Sequence, residues 1–148
     1  MSRADQAAKA PRNSSGSVLP KRLAHALSVL AQTLPNPWDE STDYFTPFAA
    51  EMADSEPMTA ESLHAPLAVG TNFQLELAGV DLAATGADYG DPVAATGFSV
   101  LGAVMNATLT NLTRVTARAP GAVRVRTWVL GRLKGGWLVG LRTESTET

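Results

Sequence analysis

Asp39, Glu40 and Asp43 fall together in the stretch W-D-E-S-T-D-Y. Carboxylates at this spacing could share a hard divalent cation or work as an acid/base pair. The stretch has neither the glycine nor the downstream glutamate of a calcium loop, so its plainer use is caps and turns between two elements. His25 and His64 are the only imidazoles, and cysteine is absent. Two distant histidines without thiolates do not make a zinc site. His25 stands between Ala24 and Ala26 on a helical stretch, where a solvated or core-edge ring is expected rather than a ligand. Serines and threonines are plentiful, but none has a base placed beside it. No P-loop, G-x-G-x-x-G or G-x-S-x-G pattern occurs. No catalytic residue, cofactor or metal site of its own is therefore expected, and the chain reads as a binding protein rather than an enzyme.

Charge is unevenly spread over the 148 residues, whose net charge is −2. Asp39, Glu40, Asp43, Glu51, Asp54, Glu56 and Glu61 crowd the first half; Arg114, Arg118, Arg124, Arg126, Arg132, Lys134 and Arg142 crowd the end. Such asymmetry predicts two electrostatically different surfaces. Arg124 and Arg126 share a strand face with Trp128 and could meet phosphates. The aromatic interleaving is thin and the net charge negative, so nucleic acid is not the expected partner. No apolar run reaches the roughly 18–20 residues that span a membrane. Arg3 and Lys9 are not followed by an apolar stretch, so no secretory signal is read, and a soluble, cytoplasmic protein is expected.

These residues must be positioned by a small set of elements. Residues 1–17 carry little that can be buried and read as a disordered tail. Residues 18–148 read as a single domain. A helix opens near Pro20, with Leu23, Ala26, Leu27, Leu30 and Ala31 as its apolar stripe, and stops at Pro35 and Pro37. The stretch Y-F-T-P-F-A-A-E-M reads as an edge strand, because Pro47 cannot donate to a ladder. Thr59 caps a short helix that Pro66 ends. Phe73–Leu77 alternates as a half-buried strand. Residues 79–90 read as loop, or one brief helical turn from Asp81. Asp91-Pro92 starts a helix running through Phe98, Leu101, Val104, Met105, Thr108 and Leu112, with Gly97 and Gly102 allowing close packing against a sheet. Val115–Ala117 reads as a short strand or link. Val123–Val129 and Trp137–Thr143 form a hairpin about Lys134-Gly135-Gly136. The order predicts an α+β layered domain.

The end of the chain, G-W-L-V-G-L-R-T-E-S-T-E-T, follows the pattern G-x-L-x-G-x-x-T-x-x-x-E-T through Gly136, Leu138, Gly140, Thr143, Glu147 and Thr148. It resembles the terminus of the nuclease A inhibitor family of bacteria. Upstream, E-S-T-D-Y-F-T-P-F resembles that family's acidic loop and the aromatic strand after it, so the similarity covers about residues 20–148. The resemblance implies an α/β/α sandwich with a mixed, largely antiparallel sheet and a C-terminal β-hairpin. It implies inhibition of a non-specific DNA/RNA endonuclease of the ββα-metal type, in which an acidic-loop Glu and the final Thr reach the nuclease's Mg²⁺. Aligning on Tyr44 puts Ser41 at the family's Glu position, with Glu40 one residue before it. The contact residues implied are Glu40, Ser41, Asp43, Glu147 and Thr148. Two other readings stay open: a module of this fold binding an unrelated protein or ligand, and a nucleic-acid binder using the Arg-rich hairpin.

Overall fold

Helix α1 (Val18–Ala31) carries Pro20 in its first turn, where a missing N–H costs nothing. A computed structural model describes residues 17–38 and 44–146 of the chain. The buried row of α1 is Pro20, Ala24, Leu27 and Ala31. It is rotated from the expected stripe: Ala26 is exposed and Leu30 largely so. Small residues on the inward face let α1 lie close on the sheet, which a row of leucines would not. Leu34 N–H donates to the Ala31 carbonyl at 2.9 Å, and Pro35 stops the helix there.

Strand β1 (Thr46–Glu51) is followed by the four-residue helix α2 (Ala60–Leu63). A capping box opens α2: Ser62 N–H donates to Thr59 Oγ1 at 3.0 Å, and Thr59 N–H donates to Ser62 Oγ at 2.9 Å. Strand β2 is Gln74–Gly79. Helix α3 (Leu82–Tyr89) occupies eight residues where the sequence promised at most one turn. Asp81 caps it through Ala84 N–H, and Gly90 ends it in the left-handed region at φ 91°. Gly86 disguises this helix, because it serves packing rather than turning. A Cβ there would stand 2.7 Å from Phe98 Cβ on the neighbouring helix.

Helix α4 (Pro92–Thr108) starts at the Asp91 cap as expected. It stops before Asn111 and Leu112, which the sequence reading had included. Leu109 N–H closes the last turn on Met105 O, and strand β3 (Thr110–Arg118) begins at once. Asn111 takes φ 55°, and the register shifts between Thr110 and Thr113, so the strand enters through a bulge. Strands β4 (Arg124–Leu133) and β5 (Trp137–Thr146) form the hairpin.

The five strands make one sheet in the order β1-β5-β4-β3-β2, and every ladder is antiparallel. The fold is α+β, and the expected C-terminal hairpin is at its centre; the sheet has no parallel pair among the described residues. Helices α1, α3 and α4 cover one face through Leu27, Leu82, Phe98, Leu101 and Met105, packed on Val129, Val139 and Leu141. The other face is covered by a thinner layer. There Met52, Leu63, Leu67 and Val69 pack on Val115, Trp128, Leu130 and Leu138, and Phe48 meets Trp128 edge-on at 6.4 Å. Arg132 pins this layer by donating to the Ala53 and Glu56 carbonyls. Asp54 accepts both glycine N–H groups of the β4–β5 turn at 3.2 and 3.1 Å. Gly97 and Gly102 do permit close approach, but to Leu34 and Leu82 rather than to the sheet.

Gly86→Ala is expected to destabilise the protein by about 1–3 kcal/mol in urea unfolding, since the new methyl overpacks the α3–α4 contact. The same change on an open helix surface would stabilise by about 1 kcal/mol, so the sign of the effect tests the packing.

Candidate functional site

Glu40, Ser41, Asp43, Glu147 and Thr148, the residues singled out from the sequence, lie outside the described residues. Their flanks lie within them, and both flanks of residues 39–43 attach to the same end of β5. On the leading side, Asn36 sits between Pro35 and Pro37 and is 2% exposed. Its Nδ2 donates to Ser145 Oγ at 2.8 Å, and its Oδ1 accepts from Trp38 N–H at 3.0 Å. The Trp38 ring meets Phe45 at 6.2 Å with an interplanar angle of 84°, and the Arg114 guanidinium lies 5.2 Å over it. On the trailing side, Thr46 Oγ1 donates to the Arg142 carbonyl at 3.2 Å, where the β1–β5 ladder begins. Asn36 before the acidic stretch and Thr46 after it are therefore both bonded to β5 within residues 142–145.

The arginines are organised at this same end, on the sheet face opposite α1 and α4. The hairpin register sets Arg126 opposite Glu144 and Trp128 opposite Arg142. Glu144 is the centre of the cluster: Arg124 Nη2 is 2.6 Å from Oε2, Arg142 Nη2 is 3.2 Å from Oε1, and Arg126 Nε is 3.8 Å from Oε1. The hydrogen bond from Arg124 is the main force holding the Glu144 carboxyl below its ordinary value. Partial burial opposes this, and the charges of Arg124, Arg142 and Arg126 reinforce it. Two of the guanidiniums also lie over rings, Arg142 at 5.8 Å from the Trp128 centroid and Arg126 at 5.4 Å from that of Phe73. Beside them an open pocket of about 390 Å³ is lined by Tyr44, Thr46, Arg124, Arg142, Thr143 and Glu144.

The histidines have other work or none visible. His25 is exposed. His64 holds α2 to the start of β2, its ring nitrogens lying 2.8 Å from the Ala60 carbonyl oxygen and 3.0 Å from that of Phe73. Among the described residues, no group of three or more His, Asp or Glu side chains is placed to hold a metal ion, and no helix is long and apolar enough to cross a membrane. Sequence reasoning passed over Asn36, Trp38 and Glu144. A signal for Glu144 existed, since counting back equally from the Lys134-Gly135-Gly136 turn sets it opposite Arg126. Asn36 offered only its place between two prolines.

Fold and site together define an α+β domain whose five-stranded antiparallel sheet gathers Arg124, Arg126, Arg142 and Glu144 at one end. Comparison with known proteins gives no match, either to a protein-family model or to a curated sequence.

Two measurements check this geometry. Asn36→Ala leaves the Ser145 hydroxyl and Trp38 N–H without their buried partner, so unfolding should report a loss of about 1–3 kcal/mol. Glu144 has a depressed folded value, so the stability it contributes is present above its ordinary value of 4.5 and lost as pH falls through the lower folded one. The stability gap between the native chain and Glu144→Gln should accordingly be constant near neutrality and close on acidification below that window.

Proposed function

We propose that this protein binds and inhibits a metal-dependent, non-specific endonuclease of the ββα-metal type. Glu40, Ser41, Asp43, Glu147 and Thr148 make the contact at the nuclease's bound Mg²⁺. Magnesium takes hard oxygen ligands and keeps exchangeable waters, normally completing its shell with phosphate. A carboxylate and a threonine hydroxyl offer the same class of donor atom. The acidic stretch is also drawn to a cleft that is positive because it receives polyanions. The protein acts here as a binding partner, not as an enzyme, and works in the cytoplasm.

One observation carries the reading beyond the sequence resemblance: both flanks of residues 39–43 are tied to β5 within residues 142–145, through Asn36 on one side and Thr46 on the other. A two-part contact needs its parts brought to one end of the molecule, and this attachment supports that requirement. The Trp38–Phe45 contact adds a rigid base between the flanks.

The test is a titration of purified ββα-metal nuclease with the full chain, reading DNA hydrolysis. Inhibition should saturate near stoichiometry. Glu40→Gln and Thr148→Val should each weaken it by roughly 10–100-fold, the range for truncating a buried interface anchor. Full hydrolysis in the presence of a large excess of folded inhibitor would sink the proposal.

A further inference from the structure

We propose that the outer edge of β2 pairs with the same edge of a second copy of this chain, joining two five-stranded sheets antiparallel, β2 against β2, in a two-fold dimer. This edge shares no residue with the contact proposed for the nuclease, so either reading can fail without the other.

The sheet ends at β2, whose ladder is to β3 alone among the described residues. An edge strand turns half of its N–H and C=O groups away from its neighbour, and these need partners. Among the described residues, no backbone hydrogen bond from a turn or loop reaches Gln74–Gly79. Gln74, Glu76, Ala78 and Gly79 are exposed. Proteins commonly blunt such an edge with proline, lysine or a bulge. Strand β2 has none of these: it reads Q-L-E-L-A-G, and its register with β3 runs unbroken from Gln74 opposite Arg118 to Gly79 opposite Thr113. At the other end of the sheet, β1 contains Pro47, which cannot donate.

Symmetry restricts how two copies of β2 can meet. A two-fold axis between antiparallel strands keeps each face of the sheet continuous, so it sets one residue opposite its own copy. Centring on Glu76 or on Leu77 pairs nearly the whole strand. Centring on Glu76 sets two carboxylates directly opposite, which is destabilising. Centring on Leu77 sets Leu77 against Leu77 on the face of the thin layer, where it already packs, and Glu76 against the small Ala78 on the other face.

Charge favours the same register. Ala78 stands opposite Arg114 in the β2–β3 ladder. Across the axis, Glu76 therefore meets the second copy's Ala78 and, behind that methyl group, its Arg114, about 10 Å away by two strand spacings. Glutamate and arginine side chains together span that distance, and the axis makes the pair twice. Arg114 lies over Trp38 with the face of its guanidinium, whereas a carboxylate is met by the edge. Glu76 is 60% exposed and stands 3.9 Å from Arg118, so it is held only loosely within its own sheet. The paired strip is short, and it buries much less than the roughly 800 Å² per partner of a stable interface. The dimer therefore forms and dissociates with concentration. Its axis directs the two Glu144 ends away from each other and leaves both open.

Sedimentation equilibrium of the full chain from roughly 10 μM to 1 mM should show a reversible monomer–dimer equilibrium. Ala78→Glu, which sets a carboxylate against Glu76 of the second copy, should weaken association at least roughly tenfold, and Ala78→Lys should tighten it. The chain has no cysteine, so Leu77→Cys introduces a single thiol. In the paired strands it meets its copy at about 4.5–5.5 Å between Cα atoms, within disulfide reach, and mild oxidation should link the dimer. Val93→Cys, 81% exposed on α4, should stay unlinked. A chain that remains monomeric throughout, including one whose edge takes another protein's strand instead, overturns the proposal. So does a dimer that both Ala78 variants leave unchanged, or one that oxidation links through Val93→Cys and not through Leu77→Cys. Circular dichroism reports which variants are folded, and the variants of the exposed Ala78 carry the test if Leu77→Cys is not.

Discussion

Strand β5 must be apolar on both faces along its first half and polar on both along its second. Leu138 faces the thin layer while Val139 and Leu141 face the helices, and all three are fully buried. From Arg142 onward the alternation continues with polar residues. Arg142 and Glu144 share the open face, and Thr143 and Ser145 are buried on the other at 3% and 6% exposure. One strand is thus both the axis of the core and the platform of the charged end. A slip of one residue would drive Arg142 and Glu144 under the helices. The glycine turn at 135–136, held by Asp54, sets the register that prevents it.

The arginine cluster gives the fold little stability. Its members are part-exposed, and such pairs contribute about 0–1 kcal/mol each. What the cluster supplies is orientation: Glu144 draws three long side chains to one point, and the Trp128 and Phe73 rings limit how their planes turn. On the opposite face, Asn36 does comparable work with a neutral group. It is buried with both ends of its amide occupied, so it anchors the segment after α1 to β5 without bringing a charge into the interior.

The elements legible from sequence were those with local chemistry at their ends. The Thr59 capping box, the Asp91-Pro92 start, the stop before Pro35 and the Lys134-Gly135-Gly136 turn each depend on a few adjacent residues. What escaped depended on partners distant in the chain. Gly86 marks a helix contact, but in isolation it argues for a loop, so α3 was undervalued. The end of α4 was missed because Leu112 keeps the helical spacing, while the bulge at Asn111 that redirects the chain into β3 has no periodic trace. The α1 stripe kept Leu27 and Ala31 but was rotated because Leu23 and Leu30 outweigh Ala24 in any hydropathy reading, although a close-packed face selects the smaller residue. At the candidate site, the pairing of Arg126 with Glu144 could be counted from the turn. The pairing of β1 with β5 could not, since nothing local in either strand names the other.

That last pairing has a temporal side. The bonds that close the base of the acidic stretch join residues 96 and 109 positions apart in the chain. During synthesis α1 and β1 leave the ribosome long before β5 exists, and they have no strand between them and the rest of the sheet until it arrives. Non-local closure of this kind comes late and slowly. The residues between α1 and β1 are therefore synthesised about a hundred positions before the strand that anchors Asn36 and Thr46, and those two anchors close late in folding.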